Sequence, residues 1–242
     1  MEAGNPLLDD YVLSLAASRK RSALPSARGS TSSRPRVCFL PTASGDADHY
    51  IVRFYRHFAT RCDASHVSLF RRDREGVEGN FAGHLLSQDL IYVGGGNLVS
   101  LLGTWRAHGL HSVLRRAWRQ GVVLCGPSAG SLCWFAEALT AFHSAPFRVQ
   151  GLGLLPYSNC VHYGAEPARR EEYRRFVGDG MQPGYAADDG AALHFRGKEL
   201  AQAVSSRPHA QAYRVEPIGG EVIETPLAMT YLGAPVRELA SA

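Results

Sequence analysis

Apolar and polar positions along this chain fall into blocks whose period switches between that of a helix and that of a strand. Leu8, Tyr11, Val12 and Leu15 recur at helical spacing and predict a helix over 5–15. Val37 to Pro41 reads as a short buried strand, ended by the polar turn Thr42 to Asp46. A helix over 47–61 follows, with Ile51, Phe54, Tyr55 and Phe58 on one face. His66 to Phe70 and Leu90 to Val93 are predicted as the next strands, the latter entering Gly94-Gly95-Gly96-Asn97. Helices are predicted around Leu98 to Trp105 and Leu110 to Trp118. Gly121 to Cys125 is a further strand, then a tight turn, then a helix expected from Ser131 to Leu139. Such βαβα alternation with strongly apolar strands predicts an α/β fold: a mostly parallel sheet in three layers, with helices on both faces. Ligands then bind at the carboxyl ends of the strands. Beyond about residue 195 the short segments Ala212 to Val215 and Glu221 to Thr225 predict an antiparallel extension at the C-terminus. The expected organisation is an N-terminal helix and basic flexible linker over 1–34, then one α/β domain over 35–235.

Charge changes the picture little. The formal net charge is +4, but residues 17–36 hold six basic residues (Arg19, Lys20, Arg21, Arg28, Arg34, Arg36) and no acidic one. The rest of the chain carries 20 basic against 22 acidic residues, so the excess marks one Ser/Arg/Pro-rich solvated segment rather than a nucleic-acid surface. No apolar run approaches a membrane span, and Met1 to Asn5 lacks the pattern of a signal peptide. The five cysteines are scattered without a CxxC pair, which suggests neither a disulfide framework nor a metal site. These features predict a cytoplasmic protein that needs no metal or organic cofactor and binds neither membrane nor nucleic acid.

Gly126-Pro127-Ser128-Ala129-Gly130 carries the chemistry. A Gly-x-Ser-x-Gly turn between a strand and a helix is a nucleophile elbow, holding a serine oxygen where helix N–H groups favour a developing negative charge. The glycines of Gly94-Gly95-Gly96-Asn97 let backbone N–H groups approach a ligand. They lack the spacing of a dinucleotide loop and the Walker lysine, so they read better as the second half of an oxyanion hole, with Gly96 joining Ala129. A serine nucleophile needs a base and a group to orient it. His162 is one candidate among ten histidines, and Asp188 and Asp189 in Ala187-Asp188-Asp189-Gly190 are candidate acids.

Four motifs in order now resemble a family: Val93 to Asn97, Gly126 to Gly130, Gly151-Leu152-Gly153-Leu154-Leu155-Pro156 leading to His162-Tyr163, and Ala187 to Gly190. Together they are similar to the peptidase E (aspartyl dipeptidase) family of serine peptidases, within the cyanophycinase superfamily. The resemblance implies a flavodoxin-like fold related to class I glutamine amidotransferases. It implies Ser128 as nucleophile, His162 as base and Asp189 as third member, with Asp188 as fallback. Gly96 and Ala129 would form the oxyanion hole. Gly95, Asn97, Glu137, Asp188 and Arg148 are candidate substrate-binding residues, with Arg169 and Arg170 as further candidates for a substrate carboxylate. The implied reaction is hydrolysis of short peptides, N-terminal Asp-x among them, by a monomer or homodimer. The order Ser, His, Asp differs from the Ser, Asp/Glu, His order of α/β-hydrolases and argues against a lipase or esterase.

Three features depart from that pattern, one being Gly164, which stands where relatives often have a polar residue after His-Tyr. Family members begin with a strand and glycine-rich turn ahead of a segment like Asn5 to Tyr11, whereas Met1 falls almost directly before it. The expectation is a chain without that first strand, with apolar surface and backbone groups left open. After the elbow, the acidic position expected for binding a substrate amine falls near Ala141, leaving Glu137 as the nearby candidate. The alternatives are a catalytically inactive peptide- or small-ligand-binding protein on the same fold, and an enzyme that uses Cys125 as nucleophile.

Overall fold

The structure, a computed structural model, describes residues 4–22, 34–70, 80–141 and 145–233. Most of the basic linker, including Arg28, lies outside them, as do Phe142 and His143. A four-stranded sheet carries the first half of the chain. Its strands are β1 (Arg36–Leu40), β2 (Asp63–His66), β3 (Leu90–Val93) and β4 (Val123–Cys125). They are all parallel, in the order β2-β1-β3-β4. Strand periodicity and burial agree here. Val37, Phe39, Leu90 and Tyr92 face one cluster, while Cys38, Leu40, Ile91 and Val93 face another. Both sets are buried, so β1 and β3 read as unbroken apolar runs rather than alternating ones.

Helices α1 (Leu7–Ser22) and α2 (Asp48–Phe58) cover the first face, through Leu13, Ala16, Phe54 and Phe58. Helices α3 (Phe81–Leu86), α4 (Leu98–Ala107) and α5 (Leu110–Arg119) cover the second, through Leu85, Leu101, Trp105 and Leu114. The predicted helix over 5–15 thus continues to Ser22, and α1 packs along β4. Arg19 forms an ion pair with Asp89 at 3.0 Å, and Arg34 donates to the carbonyls of Ala59 and Cys62. The ends of the basic segment are therefore held against the domain rather than solvated. Asp89, 2% exposed, also accepts from the Arg36 N–H at 2.9 Å and so ties α1, β1 and the entrance to β3 together.

The elbow helix is short. Helix α6 spans only Ala129–Leu132, and the expected continuation to Leu139 is instead β5 (Phe135–Thr140). This run is buried between β6 (Phe147–Gln150) and β7 (Leu155–Val161), which satisfies a strand; its apolar sequence alone does not separate the two conformations. Strand β7 lies in a stretch between Gly151 and Tyr163 for which the apolar pattern predicts no element. Its polar residues Ser158 and Asn159 hid it, and both are fully buried: Ser158 Oγ lies 2.6 Å from the Tyr173 hydroxyl, and Asn159 donates to the Tyr185 carbonyl at 3.0 Å. The second strand also shifts, from the expected 66–70 to Asp63–His66, whose polar residues at the sheet edge gave no apolar signal.

The second half adds α7 (Pro167–Gly178), β8 (Gly184–Ala187), β9 (Ala191–Arg196), β10 (Glu199–Ser205), β11 (Ala212–Ile218), β12 (Glu221–Pro226) and β13 (Met229–Tyr231). A six-stranded sheet runs β12-β11-β8-β7-β5-β6, with β5, β7 and β8 parallel and its outer strands antiparallel. A three-stranded sheet runs β13-β10-β9. The antiparallel extension predicted after residue 195 is present, but the strands divide into three sheets. Among the described residues, no helix is long and apolar enough to cross a membrane.

Candidate active site

Three chain reversals meet at the carboxyl ends of β4, β7 and β8. At the first, Ser128 follows β4 with φ 54° and ψ −121°, a strained conformation for a side-chain-bearing residue. The flanking glycines are forced by one neighbour. A Cβ on Gly126 or on Gly130 would stand 2.2 Å from the Val93 carbonyl oxygen, so the elbow presses directly on the end of β3. At the second reversal, His162 follows β7, also at positive φ (58°). At the third, Asp188, Asp189 and Gly190 link β8 to β9.

These reversals bring three side chains into a line. Asp189 Oδ1 lies 2.5 Å from His162 Nδ1, and His162 Nε2 lies 3.3 Å from Ser128 Oγ. A carboxylate only accepts, so the ring proton sits on Nδ1 and Nε2 is left to accept from the serine hydroxyl. The side chains of His162 and Asp189 are 33% and 45% exposed, which leaves the line open to solvent and to a substrate. Asp188 is turned elsewhere: its Oδ2 accepts from the Gln211 N–H at 3.1 Å, and its own N–H donates to the Gln211 carbonyl. The two adjacent carboxylates therefore divide between the histidine and the anchoring of their turn.

The glycine turn after β3 lies beside the elbow. A Cβ on Gly95 would approach Ser128 Cβ to 3.3 Å. Gly96 has φ 140°, and a Cβ there would fall 2.2 Å from the Ala43 carbonyl oxygen, so this position excludes a side chain on two counts. Ala129 opens α6, and the first N–H groups of a helix have no intrahelical acceptor. Asn97 caps α4, its Oδ1 accepting from the Ser100 N–H at 2.9 Å. Tyr50 escaped the sequence reading. Its hydroxyl accepts from the Gly95 N–H at 3.1 Å and fixes that peptide next to Ser128. Its only sequence signal is its place on α2, one residue from the buried Ile51.

Glu137 and Arg148 are not brought to this line. They pair with each other across β5 and β6, and Glu137 also accepts from the Gln182 N–H at 2.7 Å. Arg169 pairs with Glu166 and Arg170 with Glu224. The arginines considered for a substrate carboxylate are thus each engaged by a glutamate. Cys125 lies on β4, where burial pushes its thiol pKa up, opposite to the shift that makes a nucleophilic thiolate. Among the described residues, no group of three or more His, Cys, Asp or Glu side chains is placed to hold a metal ion.

The sequence profile of peptidase family S51 matches residues 17–203. This chain belongs to peptidase family S51. As a member it is a serine-type peptidase, a hydrolase of peptide bonds. It is 44% identical over 235 residues to the uncharacterized peptidase YgaJ of Bacillus subtilis (strain 168), covering 96% of this chain and 94% of that protein. It is 29% identical over 189 residues to peptidase E of Streptomyces coelicolor, covering 72% and 74% of the two chains. The crystal structure of a peptidase from an acI-B1 Actinobacterium shares its fold, with a TM-score of 0.68 at 18% identity over 93% of this S51 chain and 89% of that one.

Proposed function

We propose that this S51 peptidase hydrolyses short peptides through an acyl-enzyme on Ser128. His162 Nε2 takes the hydroxyl proton as Ser128 Oγ attacks the peptide carbonyl, then gives it to the departing amine. A water attacks the ester, His162 accepts its proton, and collapse returns the serine and releases the acid product. Asp189 holds the imidazole in the Nδ1–H tautomer and stabilises the imidazolium. The N–H groups of Gly96 and Ala129 serve the oxyanion, with Gly95 and Tyr50 fixing the turn that carries Gly96.

The observation that carries this reading is the unbroken contact from Ser128 Oγ through His162 to Asp189 Oδ1. The open, solvent-facing position of that line suits a small substrate. Because Arg148, Arg169 and Arg170 are each held by a glutamate, the proposal is short peptides as a class. Asp-x dipeptides compared with Ala-x and Leu-x test the N-terminal residue.

The test is fluorophosphonate labelling of the wild type, Ser128→Ala and His162→Ala, followed by the dipeptide panel. Labelling and hydrolysis in the wild type, and neither in the folded variants, are expected. A folded wild type that neither labels nor cleaves any peptide would overturn the proposal.

A further inference from the structure

His162 stands at φ 58°, a conformation that a residue with a side chain keeps only where its surroundings hold it. The pairing of β7 with β8 ends at Val161 and Ala187, one residue before His162. Beyond that point the backbone is held by two bonds: the His162 carbonyl accepts from the Glu166 N–H at 3.2 Å, and the Tyr163 N–H donates to the Ala187 carbonyl at 3.2 Å. A stronger grip comes from the side chain of Tyr163. Its ring is fully buried, edge-on to Tyr173 and tilted against Tyr213. Its hydroxyl donates to Glu224 Oε1 on β12. The Glu224 side chain is 10% exposed and is held in turn by α7: Arg170 Nε donates to Oε2 at 3.1 Å, and Arg174 Nε lies 3.8 Å from Oε1. The Arg170 guanidinium also lies 5.2 Å from the centre of the Tyr163 ring and 5.1 Å from that of Tyr213. Burial, then the Glu224 carboxylate, push the Tyr163 hydroxyl pKa up, so it stays a donor. Burial raises the pKa of Glu224, but hydrogen bonds from Arg170 and Tyr163 overcome this and hold it below the usual carboxylate value, so it stays an acceptor.

We propose that Tyr163 and Glu224 are positioning residues for His162: with Arg170 they clamp the turn after β7, so that Nδ1 of the imidazole meets Asp189 while Nε2 meets Ser128. The proposal rests on the reading of Ser128 as nucleophile and His162 as base. The arm that carries the acid needs no such clamp. Ala187 pairs with Ala212, and the Asp188 N–H donates to the Gln211 carbonyl at 2.9 Å, so backbone pairing alone brings Asp189 to the ring. The base and the acid are thus set against each other by one piece of the fold, the β11–β12 hairpin with the residue before it. That hairpin, Ala212 to Pro226, lies beyond residues 17–203 that the family profile matches, so the profile carries no sign of the clamp on its Glu224 side.

Tyr163→Phe tests the clamp, because it keeps the ring and the Arg170–Glu224 ion pair and removes only the hydroxyl. The turnover number for the best dipeptide and the rate of fluorophosphonate labelling are expected to fall about tenfold or more, with KM changed by less than about twofold, because a small misplacement of a catalytic group is costly. Glu224→Gln keeps an acceptor for the hydroxyl and should retain most of the rate that Glu224→Ala loses. Arg175→Ala breaks ion pairs with Glu172 and Asp179 elsewhere on α7 and should leave the rate unchanged. A second readout needs no turnover. The Nδ1 proton that His162 donates to Asp189, identified by its loss in Asp189→Asn, should give a downfield proton resonance in the wild type. That resonance should shift or broaden in Tyr163→Phe and Glu224→Ala and stay in place in Glu224→Gln and Arg175→Ala. The proposal is overturned if folded Tyr163→Phe leaves the resonance where the wild type has it, or if Glu224→Gln is as impaired as Glu224→Ala. An inactive wild type would sink the reading of Ser128 alone, and the resonance would then decide the clamp by itself.

Discussion

At the scale of single residues, the site is built by contacts that leave little room for substitution. The Val93 carbonyl bears on both glycines of the elbow, so Gly130→Ala must displace the end of β3 or the turn itself. It is expected to lower stability by about 3 kcal/mol in chemical denaturation, the scale of overpacking in a closed site. The paired carboxylates separate by partner. Asp189→Asn removes the acceptor that fixes the His162 tautomer, and kcat/KM for the best dipeptide should fall about 10³- to 10⁴-fold. Asp188→Asn should keep most activity and show its effect in thermal melting, because that carboxylate holds Gln211 rather than the imidazole. The residue types of the Ser128, His162 and Asp189 contacts were legible in sequence order. The assignment to Asp189 over Asp188 came first from resemblance, and the side-chain directions at the β8–β9 turn then separated the two.

At the scale of elements, polar pairs hold strands and helices that apolar pattern alone does not join. Glu137 sits in a buried stretch of β5 and gathers Arg148 and the Gln182 N–H. Glu137→Ala leaves a buried donor unsatisfied, which costs about 1–3 kcal/mol in thermal unfolding. Fluorophosphonate labelling of the folded variant should be unchanged, since this pair stands apart from Ser128. Asp89→Ala strips the partner from Arg19 and from the Arg36 N–H together, and a loss of about 3–5 kcal/mol is expected by denaturant titration. Strands and helices with clear apolar period, such as Leu90 to Val93 and the α2 face, were readable in advance. β2, β5 and β7 were misread or missed for one reason. Each owes its conformation to the strands beside it, and its own sequence is polar, mixed or too short to set a period.

For the whole molecule, stability is expected to fall toward acid because of three half-buried histidines. Burial lowers the pKa of His66, of His84 and of His194, whose rings meet the hydroxyls of Tyr55, Ser65 and Tyr11 respectively. A histidine with a lowered folded pKa is neutral in the fold while the unfolded chain already binds a proton. Its stabilisation is therefore complete above the unfolded value of about 6.5 and is lost as pH falls from there toward the folded value. Melting temperature should drop between pH 7 and pH 5, and His→Gln changes at the three positions should flatten that slope. The sequence by itself determined the layered α/β alternation, the elbow around Ser128 and the glycine turn at Gly94 to Gly96, because periodicity and tight turns are local and leave their mark on neighbouring residues. Only the tertiary structure decided which polar side chains meet. It set His162 between Ser128 and Asp189 and took Glu137 and Arg148 into a pair of their own. Those outcomes depend on strand order and on residues far apart in the chain, which no local pattern encodes.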